Sequence, residues 1–180
     1  MVRSTLVFLN SKLLQNYTQL FLKKTQNDYF LNHLTNYLNL TRGLHLSKKN
    51  ILVTRSAEIS LFLITRILLK ENDFVAVSNM SYYKSNMIFQ TQHIKIKQIK
   101  TDENGIDTSN LRQICEKFTI RMLYLTPHHH YPTTVTLSSE RRIELINLSK
   151  EFGFVIIEDD YDFDFHYSNH PILPLASTDQ

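Results

Sequence analysis

The sequence predicts an α/β fold, a three-layer αβα sandwich around a mostly parallel sheet. Two observations predict it. Short apolar runs alternate with longer helix-like segments, the pattern of strands joined by helical crossovers. The runs are also nearly continuous in hydrophobic residues, as strands covered on both faces are. With 180 residues, 42% of them hydrophobic, the chain can bury one sizeable core.

Each element has its own reason. Residues 30–43 place Phe30, Leu31, Leu34, Tyr37 and Leu38 on one helical face, and Gly43 is a stop. Residues 51–54 read as a short strand. Residues 57–71 form a helix that is apolar on most sides and should therefore be buried. A strand follows at 74–77, and strict alternation over 93–100 predicts a half-exposed one. Residues 104–107 make a turn leading to the N-cap of a helix over 108–118. After the buried strand 120–125, Ser138 caps a helix with Leu145, Leu148 and Phe152 on one face. Gly153 ends that helix before the strand 154–158. Residues 1–29 are read as a helical or irregular N-terminal segment, and 30–180 as the domain.

Composition narrows the function classes. The net charge of +3 comes with no polybasic run, so no electrostatic footprint for nucleic acid or anionic membrane is expected. Cys115, the lone cysteine, cannot form an internal disulfide and points to a reducing compartment. No signal peptide and no long apolar span is recognisable, so a cytoplasmic location is expected. The three glycines, Gly43, Gly105 and Gly153, leave no GxGxxG loop and no P-loop. His128, His129 and His130 are adjacent, with His166 and His170 nearby in sequence. Adjacent side chains converge poorly on one ion, so no metal site is expected.

The run FVIIEDDYDFDFHY, residues 154–167, passes from apolar residues into interleaved acids and aromatics. In a parallel α/β sheet, ligands sit beyond the carboxyl ends of the strands, and Asp159, Asp160 and Tyr161 follow such an end. Residues 54–58 follow another. Four motifs occur in one order: TRSAEISLFL (54–63), SNMSYY (78–83), LTPHHHYPTTVTLSSERR (125–142) and IIEDDYDFDFHY (156–167). Together they resemble the fold-type-I pyridoxal-phosphate (PLP) aminotransferases. The similarity is strongest to the subgroup forming the effector domain of MocR-type, GntR-family regulators, and it covers about residue 30 to the end.

The resemblance implies the large domain of a PLP-dependent transferase, here incomplete. It makes Asp159 the carboxylate that keeps the cofactor's ring nitrogen protonated. Tyr161 is matched to the hydrogen-bonding partner of the cofactor's phenolic oxygen. Tyr82 is matched to the ring that stacks on the pyridine, with Tyr83 the alternative if the register slips by one. Ser56 and Ala57 match the phosphate-binding turn at a helix start, and His129 matches a histidine of the cofactor loop. Asp160, Asp162 and Asp164 read as a polar loop with capping and surface pairs. The sequence also departs from the pattern: Ser56 stands for a glycine, Glu58 for a glutamine, His130 for a glutamine and Thr134 for a glycine. The first two should weaken phosphate binding, so weak or lost PLP binding is expected.

The Schiff-base lysine of the family has no match, since no lysine follows Lys150 and neither Lys84 nor Lys150 fits its motif. The catalytic set is therefore empty. The chain reads as an N-terminal portion, a fragment not active alone. By resemblance its partners are an amino acid and a 2-oxo acid, plus a second copy or a complementing C-terminal fragment, with no nucleic acid and no membrane. Three outputs stay open: an aminotransferase-like domain, a PLP- or amino-acid-sensing effector fragment, and a non-catalytic remnant.

Overall fold

The computed structural model describes residues 6–8, 27–165 and 172–178. In chain order the elements are β1 (Leu6–Phe8), α1 (Asp28–Arg42), α2 (Ala57–Leu68), β2 (Phe74–Ser78), α3 (Tyr83–Thr91) and β3 (Lys95–Ile99). They continue with β4 (Thr101–Asp102), β5 (Gly105–Ile106), α4 (Thr108–Lys117), β6 (Ile120–Leu125), α5 (Ser139–Phe152) and β7 (Val155–Asp160). The main sheet has the order β1-β7-β6-β2-β3. Strands β7, β6, β2 and β3 run parallel, and β1 pairs antiparallel with β7. Strands β4 and β5 form a separate small hairpin.

Side chains alternate across the parallel strands and build two cores. Val75, Val77, Met122, Tyr124 and Ile157 face Leu61 and Ile64 of α2 and Phe89 of α3. Ala76, Leu123, Leu125 and Ile99 face Leu111 and Cys115 of α4 and Leu145 and Leu148 of α5. The same period puts Asp159 on the α2–α3 side, and Glu158 and Asp160 on the other. Asn27, Ser56, Asp107 and Ser138 each offer a side-chain oxygen to a first-turn N–H of the helix that follows. Gly43 and Gly153 close α1 and α5 in the left-handed region, at φ 60° and 72°. Gly105 serves two needs at once: its φ is 98°, and an added Cβ would lie 2.8 Å from Leu137 Cδ1.

The αβα architecture and the parallel strands at 74–77, 120–125 and 154–158 agree with the sequence. Residues 51–54 do not. They are extended but belong to no sheet: Ile51 packs with Leu31, Leu38 and Leu44 against α1, while Leu52 and Val53 are exposed. The backbone N–H of Ser47 donates to Asn50 Oδ1 at 2.9 Å, which sets a turn just before this run. The parallel pairing beside β2 is taken by β3 instead. Helix α2 ends at Leu68 and buries only one face, with Ile59 and Phe62 exposed. Most of 1–29 lies outside the described residues. Within it, 6–8 form a strand rather than a helix, and α1 begins at Asp28. No helix among the described residues is long and apolar enough to cross a membrane.

Three buried charges stand behind the end of β7. Glu158, 2% exposed, accepts hydrogen bonds from the N–H groups of Leu175 at 3.0 Å and Ala176 at 3.3 Å. Arg142 of α5 donates to the carbonyls of Leu137, Leu173 and Pro127 at 3.0, 3.0 and 3.1 Å. These bonds stitch 172–178 beneath the sheet. Asp160 is a correction to the sequence reading, because it is interior and not a surface pair. It lies 3.9 Å from Arg42 Nε and 3.4 Å from His128 Nδ1, and neither carboxylate oxygen has a hydrogen bond. Burial, then the charge of Glu158, pushes its carboxyl up to about 7. Asp164, by contrast, is exposed and pairs with Arg42 and Tyr37 as expected.

Two predictions follow from this arrangement. Between the ordinary value of 3.8 and about 7, the native state holds a proton on Asp160 that the unfolded chain has released. Stability to urea is therefore expected to fall as pH rises through this window. Asp160→Asn should lose the upper part of that slope and gain about 1–2 kcal/mol at pH 8; an unchanged slope overturns the assignment. The second concerns Thr134, a β-branched residue at φ 63°. Left-handed backbone costs such a residue about 1–2 kcal/mol, while a glycine there loses about 0.5–1 kcal/mol through the unfolded state. Thr134→Gly is expected to raise stability by about 0.5–1 kcal/mol in the same denaturation assay.

Candidate cofactor-binding site

The region beyond the carboxyl ends of β2, β6 and β7 gathers side chains on the α2–α3 side of the sheet. Tyr124, near the end of β6, is almost wholly buried, and an unpaired buried hydroxyl would cost about 1–3 kcal/mol. It donates instead to Asp159 Oδ2 at 2.6 Å. Asp159 Oδ1 is buried and has no hydrogen-bond partner. Burial, opposed by the Tyr124 bond and aided by the charges of Glu58 and Asp162, pushes the Asp159 carboxyl up to about 6. The Tyr124 hydroxyl is held well above its usual range by burial and by Asp159, and it also senses Ser85 and Tyr82.

Tyr82 immediately precedes α3. Its ring meets Tyr131 edge-on, with centroids 5.4 Å apart and planes at 78°. Tyr83 lies 5.6 Å from Tyr82 and is more exposed. Lys84, next along, reaches Glu58 at 3.5 Å. The Tyr82 hydroxyl, first, and the charge of Glu58 raise its ammonium above the usual value. Ser56 caps α2, with its Oγ accepting from the Ile59 N–H at 3.3 Å. The Ala57–Glu58 turn thus lies beside the start of α3.

The His128–Thr134 loop closes the other side. The Tyr131–Pro132 peptide is cis. Tyr161 donates its hydroxyl to the His129 carbonyl at 2.9 Å, so the hydrogen assigned by resemblance to the cofactor's oxygen is used within the loop. The His129 ring pairs with Asp162 at 2.6 Å. His128 turns to the Ile172 carbonyl and packs edge-on against Phe163. His130 bonds Thr133 Oγ1 at 2.7 Å, and burial lowers its pKa. The three histidines therefore diverge. Among the described residues no cluster of His, Cys, Asp and Glu could hold a metal, while His166 and His170 lie outside them.

The structure thus brings Tyr82, Asp159 and the Ser56–Ala57 turn to one side of the sheet, linked by Tyr124, Glu58 and Lys84. Tyr161 and His129 are tied to each other through the loop. Sequence reasoning missed Tyr124 and Lys84. The signal for Tyr124 was a hydroxyl-bearing residue near the end of a buried strand, which needs a partner wherever it folds.

A PLP molecule is implied by the fold, and the residues fit one half of it. Asp159 Oδ1 is an orphaned buried acceptor suited to a ring N–H, with tyrosines beside it. The other half fits poorly. The Glu58 carboxylate, in the first turn of α2, is held low by its own backbone N–H and by the Ser56 hydroxyl.

Comparisons with known proteins bear on the fold. No family model matches the chain. It is 31% identical over 138 residues, 77% of its length, to an uncharacterized HTH-type transcriptional regulator, YisV, of Bacillus subtilis (strain 168), and covers 28% of that protein. It superposes on the multiple substrate aminotransferase of Thermococcus profundus with a TM-score of 0.80 at 21% identity, over 96% of this chain and 47% of that one. The PLP-bound C-S lyase of Staphylococcus hominis gives 0.77 at 17% identity, over 98% and 49%. The chain spans less than half the length of each. By architecture and these likenesses, the chain has the fold of the pyridoxal-phosphate-dependent aminotransferases.

Proposed function

We infer that this chain supplies the ring-binding face of a PLP-dependent aminotransferase-like site, serving amino-group transfer between an amino acid and a 2-oxo acid. The observation that carries the reading is the buried, unpartnered Oδ1 of Asp159 at the end of β7, beside Tyr82 and Tyr124. When bound, PLP supplies an electron sink for charge developing at a substrate α-carbon. The chain's own part is to keep a proton on the ring nitrogen. Asp159 would do this by offering Oδ1 of its carboxylate to the N–H, where charge assistance makes such a bond about twice as strong as a neutral one. Tyr124 fixes the rotamer by holding Oδ2, which leaves Oδ1 for the ligand. Tyr82 and Tyr131 bound the space with aromatic surface, and the His129 loop, braced by Asp162 and Tyr161, excludes water from one side.

A second reading has its own support. The likeness to an HTH-type regulator favours a sensing role, in which occupancy of this site rather than turnover is the output. The two share every residue above. Spectroscopic titration with amino acids in the presence of PLP separates them: conversion of the cofactor to its aminated form indicates transfer, and saturable binding without conversion indicates sensing.

Asp159→Asn keeps an acceptor for Tyr124 but removes the charge. It is expected to weaken pyridoxal binding about tenfold to a hundredfold by equilibrium dialysis. Equal affinity in the two chains would sink the ring-binding role.

A further inference from the structure

The start of α2 carries an anion, Glu58, in its first turn. A helix N-terminus attracts phosphate because its first N–H groups point outward and the helix dipole favours negative charge. Here one of those donors is already used by the chain's own cap: the Ile59 N–H donates to Ser56 Oγ at 3.3 Å. Glu58 lies in that first turn, where the backbone and the Ser56 hydroxyl keep its carboxyl below the ordinary range. The neighbouring hydroxyls are also used: Thr54 Oγ1 donates to the Ser56 carbonyl at 2.9 Å and lies 2.6 Å from Ser60 Oγ. Lys84 reaches this turn, 3.5 Å from Glu58, and Arg55 in the same turn is exposed.

Glu58 is also close enough to Asp159 that its charge raises the proton affinity of that carboxyl. Two carboxylates therefore act on one site, and one ammonium partly offsets them. A dianionic phosphate entering here would stand beside the Glu58 carboxylate, a repulsion between like charges. A ring N–H meeting Asp159 encounters no such conflict.

We propose that Glu58 is a built-in anion that takes the phosphate's place at the start of α2, so that the site accepts a phosphate-free pyridine-type ring and gains nothing from a phosphate group. This rests on the ring-binding reading of Asp159 and deepens it by naming the ligand class. Glu58→Gln keeps the side-chain length and removes the charge.

The test uses the full chain and Glu58→Gln, with two independent arms. In the first, equilibrium dialysis compares pyridoxal with PLP. The native chain is expected to bind them within about threefold of each other, and Glu58→Gln to bind PLP about tenfold more tightly than pyridoxal. In the second, backbone amide shifts of residues 57–59 are followed as inorganic phosphate is added. Saturable shifts are expected in Glu58→Gln and not in the native chain. A native chain that prefers PLP tenfold, native amides that already saturate with phosphate, or a variant that gains nothing in either arm overturns the proposal. Binding of neither ring ligand by either chain overturns the ring-binding reading instead, and the phosphate arm then decides the role of Glu58 alone.

Discussion

The hydrogen bond from Tyr124 to Asp159 ties the candidate site to the sheet. Parallel pairing of β6 with β7 brings the two side chains to the same face near the strands' carboxyl ends. The bond satisfies a hydroxyl that would otherwise be buried unpaired, and it orients a carboxylate that would otherwise be free to turn. It satisfies only half of that carboxylate. Because β-strands alternate their side chains, a slip of one residue between these strands would turn Asp159 into the opposite core. The site therefore depends on strand register as much as on any loop.

Three consecutive acidic residues at the end of β7 meet three different fates, set by that alternation and by what lies on each side. Glu158 is consumed by two backbone N–H groups and anchors the segment 172–178. Asp160, on the same side, has charged neighbours but no hydrogen bond, and so favours its protonated form near neutrality. Asp159, between them, faces the other way and keeps one oxygen unpartnered. Composition describes all three as carboxylates; burial and partners make one a clamp, one a proton holder and one a carboxylate with a single oxygen satisfied.

Much of this was legible in the sequence because the signals were local. Helix caps at Asp107 and Ser138, stops at Gly43 and Gly153, and near-continuous apolar strands are short-range patterns with short-range causes. The extended run after Ser47 was misread because an apolar tetrad says nothing about whether a neighbouring strand is available to pair with it. Asp160 was misread because its environment is assembled from Arg42 and His128, which are distant in sequence. Asp159 and the α2 turn were singled out by their places after apolar runs and by motif resemblance, Tyr82 by resemblance alone, while the pairing of Glu58 with Lys84 required coordinates.

Arg42 has one more consequence, for the order in which the molecule assembles. Its guanidinium lies 3.9 Å from the centroid of Phe163 and contacts Asp164 across a separation of 122 residues. Closing so long a loop costs chain entropy before the contact returns any energy, and such contacts form late. Helices α2–α5 and the inner parallel strands can condense through nearer neighbours, whereas the contact of α1 with residues 161–165 waits for the two halves of the chain to meet. Pulse-labelled amide exchange during refolding reads this directly, as protection of α1 and of residues 161–165 arriving after that of β2 and β3.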